Sequence, residues 1–467
     1  MTAYNDKILR ELKVENLADV IADVINDDPK RVEEDIRSFL YPRLDFICDP
    51  ANHIFFLFED SYIETEWKDM ISVHYINTSY NVKNAVMRVH LFFSDTVDEK
   101  KYAGCFTLRT IDDVRFMLSY IWPNWKRLIT GDGSDTYVMT YKKKVHILGQ
   151  EIEFDTYPLF AQDNAVIKCA QAGMISMSSY LHEKYGYNKL RVLKINEAYS
   201  TGKTRVFPSK GLTPPQMMEI FNYYDIPVES QICYEDPQEL KPYIDFCLES
   251  SLPVLLSIIV DNTNTKKEER HIIQIIGHTL ETDTYKKKYL VYDDSGLFIR
   301  NSAGKDGFVY PESWENIKKK IKPKKSILFY PIHEKVYISF DDIQVFFADL
   351  RKRLKLEDLL EKANDPLIDT RILIVDNVVL KDFLKNRIQL DVNMGDKESM
   401  QEEINDIINK SLPHYLWYCE FQTAQRNLIF IADPTYNNKT TKNIILNKNP
   451  IISTNVLGIL RKQIGKK

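Results

Sequence analysis

The longest predominantly apolar run in the chain, Leu252 to Val260 (LPVLLSIIV), is nine residues. A helix crossing a bilayer needs about twenty, whereas a run of this length suits a strand in a folded core. The run therefore predicts sheet and no membrane segment. With 44% hydrophobic residues, the chain has the composition of a globular protein and not of a disordered one. At 467 residues it is long enough for about three domains. The opening residues, MTAYNDKILRELKVENLADVIADV, alternate charged with apolar positions and hold no uninterrupted hydrophobic core of the secretory kind. Six cysteines, Cys48, Cys105, Cys169, Cys233, Cys247 and Cys419, form no CxxC pair. That argues for a reducing compartment and against structural zinc or a disulfide-stapled fold. The expectation is a soluble cytoplasmic protein.

Charge excludes one further class. Lys and Arg number 62 against 67 Asp and Glu, a net charge of −5, so no overall field favours general nucleic-acid binding. The one dense basic stretch, Lys318-Lys319-Lys320-Ile321-Lys322-Pro323-Lys324-Lys325, could hold phosphate groups of an acidic partner. It reads more simply as a solvated helix end after Trp314 and Ile317, where the dipole favours lysine.

Three segments follow from the patterning. Residues 1–150 form a mixed α/β region. ILRELKVENLADVIADVI has helical spacing, and HIFFLFEDSYIETEW, AVMRVHLFF, YAGCFTLRTIDDVRF and TYVMTYKKKVHILG carry the aromatic and β-branched runs of strands. Residues 155–332 contain a long helical stretch from Cys169, then apolar runs at 253–260, 271–277, 289–293 and 326–332 that read as sheet. Residues 333–467 alternate helical segments (DIQVFFADLRKRL, EDLLEKAND) with strand-like ones (TRILIVDNVVL, HYLWYCEF, NLIFIADPT). The fold class expected is α+β.

Several signals carry no chemistry. Gly202-Lys203-Thr204 resembles the end of a phosphate-binding loop, but the loop's first glycine would stand at position 197, which is Glu197. The Asp132/Ser134/Asp135 turn lacks the downstream Glu of a calcium loop. The nine histidines include no HExxH and no i, i+4 pair, so no helix-borne zinc site is expected. No cofactor and no metal is predicted.

One constellation does carry chemistry. The segment 158–173, PLFAQDNAVIKCAQAG, reads as a loop entering a helix with Cys169 at its start, where unpaired N–H groups and the dipole favour a thiolate. Taken alone, Cys169 reads as a buried structural cysteine. A hundred residues on, Arg270-His271-Ile272-Ile273-Gln274-Ile275-Ile276-Gly277-His278 is a strand opening with a histidine. His278, an odd number of residues away, should point to the other face. The next strand, Tyr289-Leu290-Val291-Tyr292-Asp293-Asp294, ends in acids that an adjacent position would bring to His271; alone, Asp293-Asp294-Ser295-Gly296 would be a plain turn. Together these residues suit acyl transfer. Cys169 attacks a carbonyl, His271 moves the proton, and Asp293 orients His271. Gln162, with the Cys169 N–H, stabilises the oxyanion.

These pieces resemble a papain-like cysteine peptidase domain of the bacterial type that includes the peptidases removing double-glycine leader peptides. The resemblance rests on Gln162 with Cys169 and its helix, on HIIQIIGH and on YLVYDDSG. It implies a helix carrying Cys packed on an antiparallel sheet carrying His and Asp. YAGCFTLRTID, KVHILGQEIEF, PLFAQDNAVIKCAQAGM and PIHEKVYIS are also similar to a bacterial multidomain family built around such a domain, from which no known activity carries over. Where the leader peptidases often have proline after the acid, this chain has Asp294, so either Asp293 or Asp294 is the orienting group. Their usual membrane and ATPase segments are not found in these residues, and double-glycine cleavage is not implied.

The leading expectation is a cytoplasmic thiol hydrolase, a peptidase or isopeptidase, acting on a peptide or protein substrate through a thioester. The alternatives are a transglutaminase-like acyl transferase using the same triad, and a non-catalytic papain-like binding or scaffold protein. Cys105 and Cys419, in apolar runs, are expected in cores, and Cys233 and Cys247 receive no role. The flanking region 1–150 enters the catalytic segment just before Gln162 and could cover its cleft.

Overall fold

The computed structural model describes residues 55–73, 85–109, 115–121, 136–162, 167–199, 211–262, 267–279, 286–293, 309–362, 364–390, 407–423 and 427–435, with 10, 11, 19, 22, 30 and 405. The chain is α+β, and every strand pairing described is antiparallel. Residues 1–241 with 252–331 make one compact unit, and 242–251 with 332–467 a second. No helix among the described residues is long and apolar enough to cross a membrane.

In the first unit, strands β1 (Arg10–Glu11), β2 (Phe55–Tyr62), β3 (Val86–Phe92), β4 (Tyr102–Arg109), β5 (Arg115–Ile121), β6 (Thr136–Val138), β7 (Tyr141–Ile147) and β8 (Gln150–Phe160) precede the cysteine helix. All but β6 join in one sheet, ordered β1-β2-β3-β4-β5-β8-β7. Leu57, Phe92, Tyr102, Val145, Ile152 and Phe154 pack into its core with Cys105. Most of the helical pattern expected before residue 40 lies outside the described residues. Within it, Arg10 and Glu11 pair with Phe56 and Phe55 as strand, because a sheet edge offers those backbone groups partners that a local helix pattern cannot anticipate. The stretch after Ile63 is helix α1 (Thr65–Val73), not a continuation of strand.

Helix α1 brings three buried carboxylates, Glu64, Glu66 and Asp69, to the start of helix α3 (Val192–Tyr199). Asp69 accepts from Arg191 Nε at 3.0 Å, and Glu66 accepts from the Val192 N–H at 3.1 Å. Burial raises Glu64 to about 8 and Glu66 to about 7. Carboxyl groups here answer both the first unpaired N–H groups of α3 and its positive dipole end.

Helix α2 (Cys169–Tyr185) is the centre of the unit. Its polar start is closed by Gln171, whose Oε1 accepts from the Lys168 N–H at 3.0 Å. It ends at Gly186, left-handed at φ 78°, whose N–H returns to His182 O; glycine adopts that conformation without strain. From Ala170 to Leu181 every residue is buried, so the helix is enclosed rather than one-sided. Gly173 lets it approach the sheet, since a Cβ there would stand 3.1 Å from Leu255 and 3.4 Å from Ile272.

That sheet consists of β9 (Val228–Ile232), β10 (Val254–Asn262), β11 (Lys267–Thr279), β12 (Lys288–Tyr292), β13 (Val309–Ser313) and β14 (Ile327–Pro331), ordered β13-β12-β11-β10-β14-β9. The apolar runs expected as strands are β10, β11, β12 and β14. β11 is its spine, pairing with β10 from Lys267 to Ile275 and with β12 from Gln274 to His278. Where β10 ends, β6 takes over that edge at Gly277–Thr279. A Cβ at Gly277 would lie 2.1 Å from Tyr137 O, so only glycine admits β6 there. A bulge between Ile275 and Gly277 resets the alternation along β11. Counting residues therefore does not put His278 opposite His271. Helices α4 (Pro214–Tyr223), α5 (Lys241–Glu249) and α6 (Trp314–Lys320) complete this part of the sequence. Lys318, Lys319 and Lys320 form the last turn of α6, Lys318 near Asp236 at 3.8 Å, and Lys325 pairs with Glu268 at 3.0 Å.

The second unit holds helices α7 (Phe340–Arg353), α8 (Leu356–Lys362) and α9 (Asn377–Leu390) with strands β15 (Leu367–Asp376), β16 (Tyr415–Thr423) and β17 (Asn427–Ala432). The strand expected over TRILIVDNVVL stops at Asp376. There the carboxylate accepts from the Val378 N–H at 2.7 Å, and Asn377–Leu380 begin α9 with the local cap that Asp provides. Phe246 of α5 stacks on Phe340 at 4.5 Å between ring centres.

Candidate active site

The site is assembled by three neighbouring elements. β11 carries His271, β12 runs directly into Asp293, and α2 begins at Cys169. His271 and Asp293 are both almost wholly buried, at 2% and 1% exposure. Nε2 of His271 lies 2.8 Å from Asp293 Oδ1, a charge-assisted hydrogen bond. Asp293 is therefore the carboxylate that the imidazole meets; Asp294 lies outside the described residues. The register explains why a short acid reaches. Gln274 stands opposite Tyr292, so Asp293 follows onto the part of β11 that leads back to His271.

Cys169 is in hydrogen-bonding contact with His271. Since Nε2 is committed to Asp293, Nδ1 is the ring nitrogen left for the sulfur. Burial pulls the imidazole's pKa down, but the Asp293 carboxylate and the Cys169 sulfur together outweigh it and hold His271 well above the ordinary histidine range. Among the described cysteines, Cys169 alone is not buried. Cys105, Cys233, Cys247 and Cys419 are buried, and burial pushes the Cys419 and Cys105 thiols up. The cysteine with a histidine partner is thus also the accessible one.

Gln162 stands two residues past the end of β8 and is half-buried. The stretch between it and Ile167 lies outside the described residues. Pro158, Leu159 and Phe160 belong to β8 and not to the loop expected there. They pair with Tyr120, Ser119 and Leu118, and the β5 edge supplies the partners that make them strand.

Four residues that sequence patterning did not single out bind these elements together. Gln274 Nε2 donates to Tyr157 OH at 2.7 Å, Ser176 Oγ donates to Pro158 O, and Tyr292 OH donates to Phe160 O at 2.7 Å. The available signal was a glutamine inside Ile272-Ile273-Gln274-Ile275-Ile276, since a polar side chain in an apolar strand needs a buried partner.

Among the described residues, no three His, Cys, Asp or Glu side chains gather to hold a metal ion. The chain matches no protein-family model and no curated protein.

Proposed function

We propose that this protein is a thiol-dependent hydrolase of the papain-like kind, cleaving a peptide or isopeptide bond through a Cys169 thioester. The observation that carries the reading is the buried His271–Asp293 pair at 2.8 Å in contact with a partly accessible cysteine at the first position of a helix. A helix carrying cysteine on an antiparallel sheet carrying histidine and acid supports the same reading.

The chemistry follows from the groups in place. His271 holds the proton that leaves Cys169, giving a thiolate beside an imidazolium. The thiolate attacks the substrate carbonyl, and the C=O electron pair moves onto oxygen. The Cys169 N–H at the helix start, with the Gln162 side-chain amide, stabilises that oxyanion. As the tetrahedral species collapses, the C–N bond breaks, and His271 gives its proton to the departing amine. His271, now neutral, takes a proton from water as the water attacks the thioester. The acid product leaves and the thiol is restored. Throughout, Asp293 fixes the ring orientation and stabilises its charged form.

The test is the pH dependence of Cys169 alkylation by iodoacetamide, in the parent and in His271→Ala, with Cys419 as internal control. Rapid alkylation of Cys169 well below the pH at which ordinary thiols react, lost in His271→Ala, supports the reading. Reactivity indifferent to His271 removes it. With an active-ester substrate, adding a primary amine then separates hydrolysis from transfer by the product formed.

A further inference from the structure

Resting on that reading, we propose that Tyr292 is a positioning residue that sets Gln162 against the reacting sulfur by anchoring the end of β8. β7 pairs with β8 only as far as Thr156, opposite Tyr141. Beyond that pair, the carbonyls of Pro158 and Phe160, two residues apart, point to one edge of the strand. Each accepts a side-chain hydroxyl. Pro158 O takes Ser176 Oγ from α2, the helix of Cys169, and Phe160 O takes Tyr292 OH at 2.7 Å from β12, the strand that leads to Asp293. Just before them, Tyr157 OH takes Gln274 Nε2 at 2.7 Å from β11, the strand of His271.

The last four residues of β8 are therefore tied once to each of the three elements that carry the triad. All the tying side chains are buried, where a hydrogen bond is costly to lose. Phe160 O is the last of the three anchored atoms, and Gln162 follows two residues later. Tyr292 and Asp293 are consecutive, and successive side chains of a strand point to opposite faces. The step from the end of β12 to Asp293 thus sends a hydroxyl to the strand that leads to Gln162 and a carboxylate to His271. Two parts of the chemistry that must agree in position share one backbone segment.

Two reagents separate this role from a general structural one. Iodoacetamide alkylates a thiolate without forming an oxyanion, whereas p-nitrophenyl acetate acylates it through one. In Tyr292→Phe, the rate and pH profile of Cys169 alkylation are expected to match the parent. Acylation is expected to fall about 10- to 100-fold, the scale of a misplaced or lost oxyanion donor. Gln162→Ala should show the same selective loss, and adding Tyr292→Phe to it should change little further, because the two changes remove one interaction. Acylation equal to the parent overturns the proposal, as does an equal fall in both reactions or full additivity with Gln162→Ala. If Tyr292→Phe does not fold, Ser176→Ala is read with the same reagents, and loss of acylation alone is again the supporting result and its absence the overturning one. A parent protein whose Cys169 alkylates no faster than Cys419 at low pH fails at the earlier step, and both readings fall together.

Discussion

His271 and His333 are equally buried, at 2% and 3% exposure, yet their protonation is driven in opposite directions. His271 faces the Asp293 carboxylate and Cys169 and is held well above the ordinary histidine range despite burial. In the second unit, His333 stacks flat on Tyr415, with ring centres 3.7 Å apart. Burial first, then the nearby His414, lower it to about 3, with Asp376 opposing weakly; Asp376 itself is 2.7 Å from His414 Nε2. Burial beside a second imidazole therefore makes a neutral core histidine. A buried carboxylate at hydrogen-bond distance converts the same side chain into a group that keeps its proton.

The comparison breaks most sharply at Asp293. Asp293→Asn keeps the shape but removes the charge, and His271 should move down toward the regime of His333, which its imidazole NMR titration would show. Alkylation of Cys169 near neutral pH should fall about 10²- to 10⁴-fold, the range of a general base deprived of its orienting acid. Linkage gives the sign for stability. Because the folded value of His271 is raised, its contribution is complete below about pH 6.5 and is lost as pH rises through that folded value.

His333 has the opposite sign. Its value falls from about 6.5 unfolded to about 3 folded, so the unfolded state binds more protons between those limits. Its contribution is complete above about pH 6.5 and lost as pH drops toward 3, by roughly 3–5 kcal/mol. His333→Phe, which keeps the stack on Tyr415, should flatten that acid limb in thermal unfolding measured against pH.

A smaller effect comes from Glu64, raised to about 8 by burial and by the neighbouring Glu66, with Lys189 opposing. A carboxyl whose folded value lies above its unfolded one stabilises least once pH exceeds that folded value. Glu64→Gln should therefore gain roughly 1–3 kcal/mol at pH 8–9 relative to the parent and little below pH 4. Equal gains at both pH values in chemical denaturation would show that the carboxyl is not the source.

The meeting of His271 with Asp293 was legible from residue order, because neighbouring antiparallel strands bring an acid that follows one to a histidine on the other. The histidine does not open its strand as expected, since β11 begins at Lys267 and β10 pairs with it from there. The runs that became β10, β11, β12 and β14 were equally plain, since a strand buried on both faces announces itself by continuous Ile, Leu and Val. Three features were hidden for physical reasons. Pro158–Phe160 become strand only because β5, forty residues earlier in the chain, supplies an edge. The bulge at Ile275/Gly277 overrides counting by two, and its warning was a single glycine whose need comes from Tyr137 on another strand. Tyr292 and Ser176 carry no local mark, because their partners are backbone carbonyls, which every residue possesses.

The path of α5 decides how this protein can be taken apart. The chain leaves the first unit after Lys241, contributes 242–251 to the second, and returns at Leu252 before crossing again at Ile332. In the second unit that loan is substantial. Phe246 packs against both Phe340 and Trp417, Glu249 pairs with Arg371, and Ser250 Oγ accepts the Ile374 N–H at 2.9 Å. A protease cut near residue 332 therefore would not release a self-sufficient fragment, and neither would a gene trimmed to 332–467. On the ribosome, 242–251 emerge well before their partners, since Glu249 and Ser250 meet Arg371 and Ile374, residues 122 and 124 positions later, so the second unit must wait for its own C-terminal strands. One exchanged helix thus makes the two units indivisible in inheritance and synthesis.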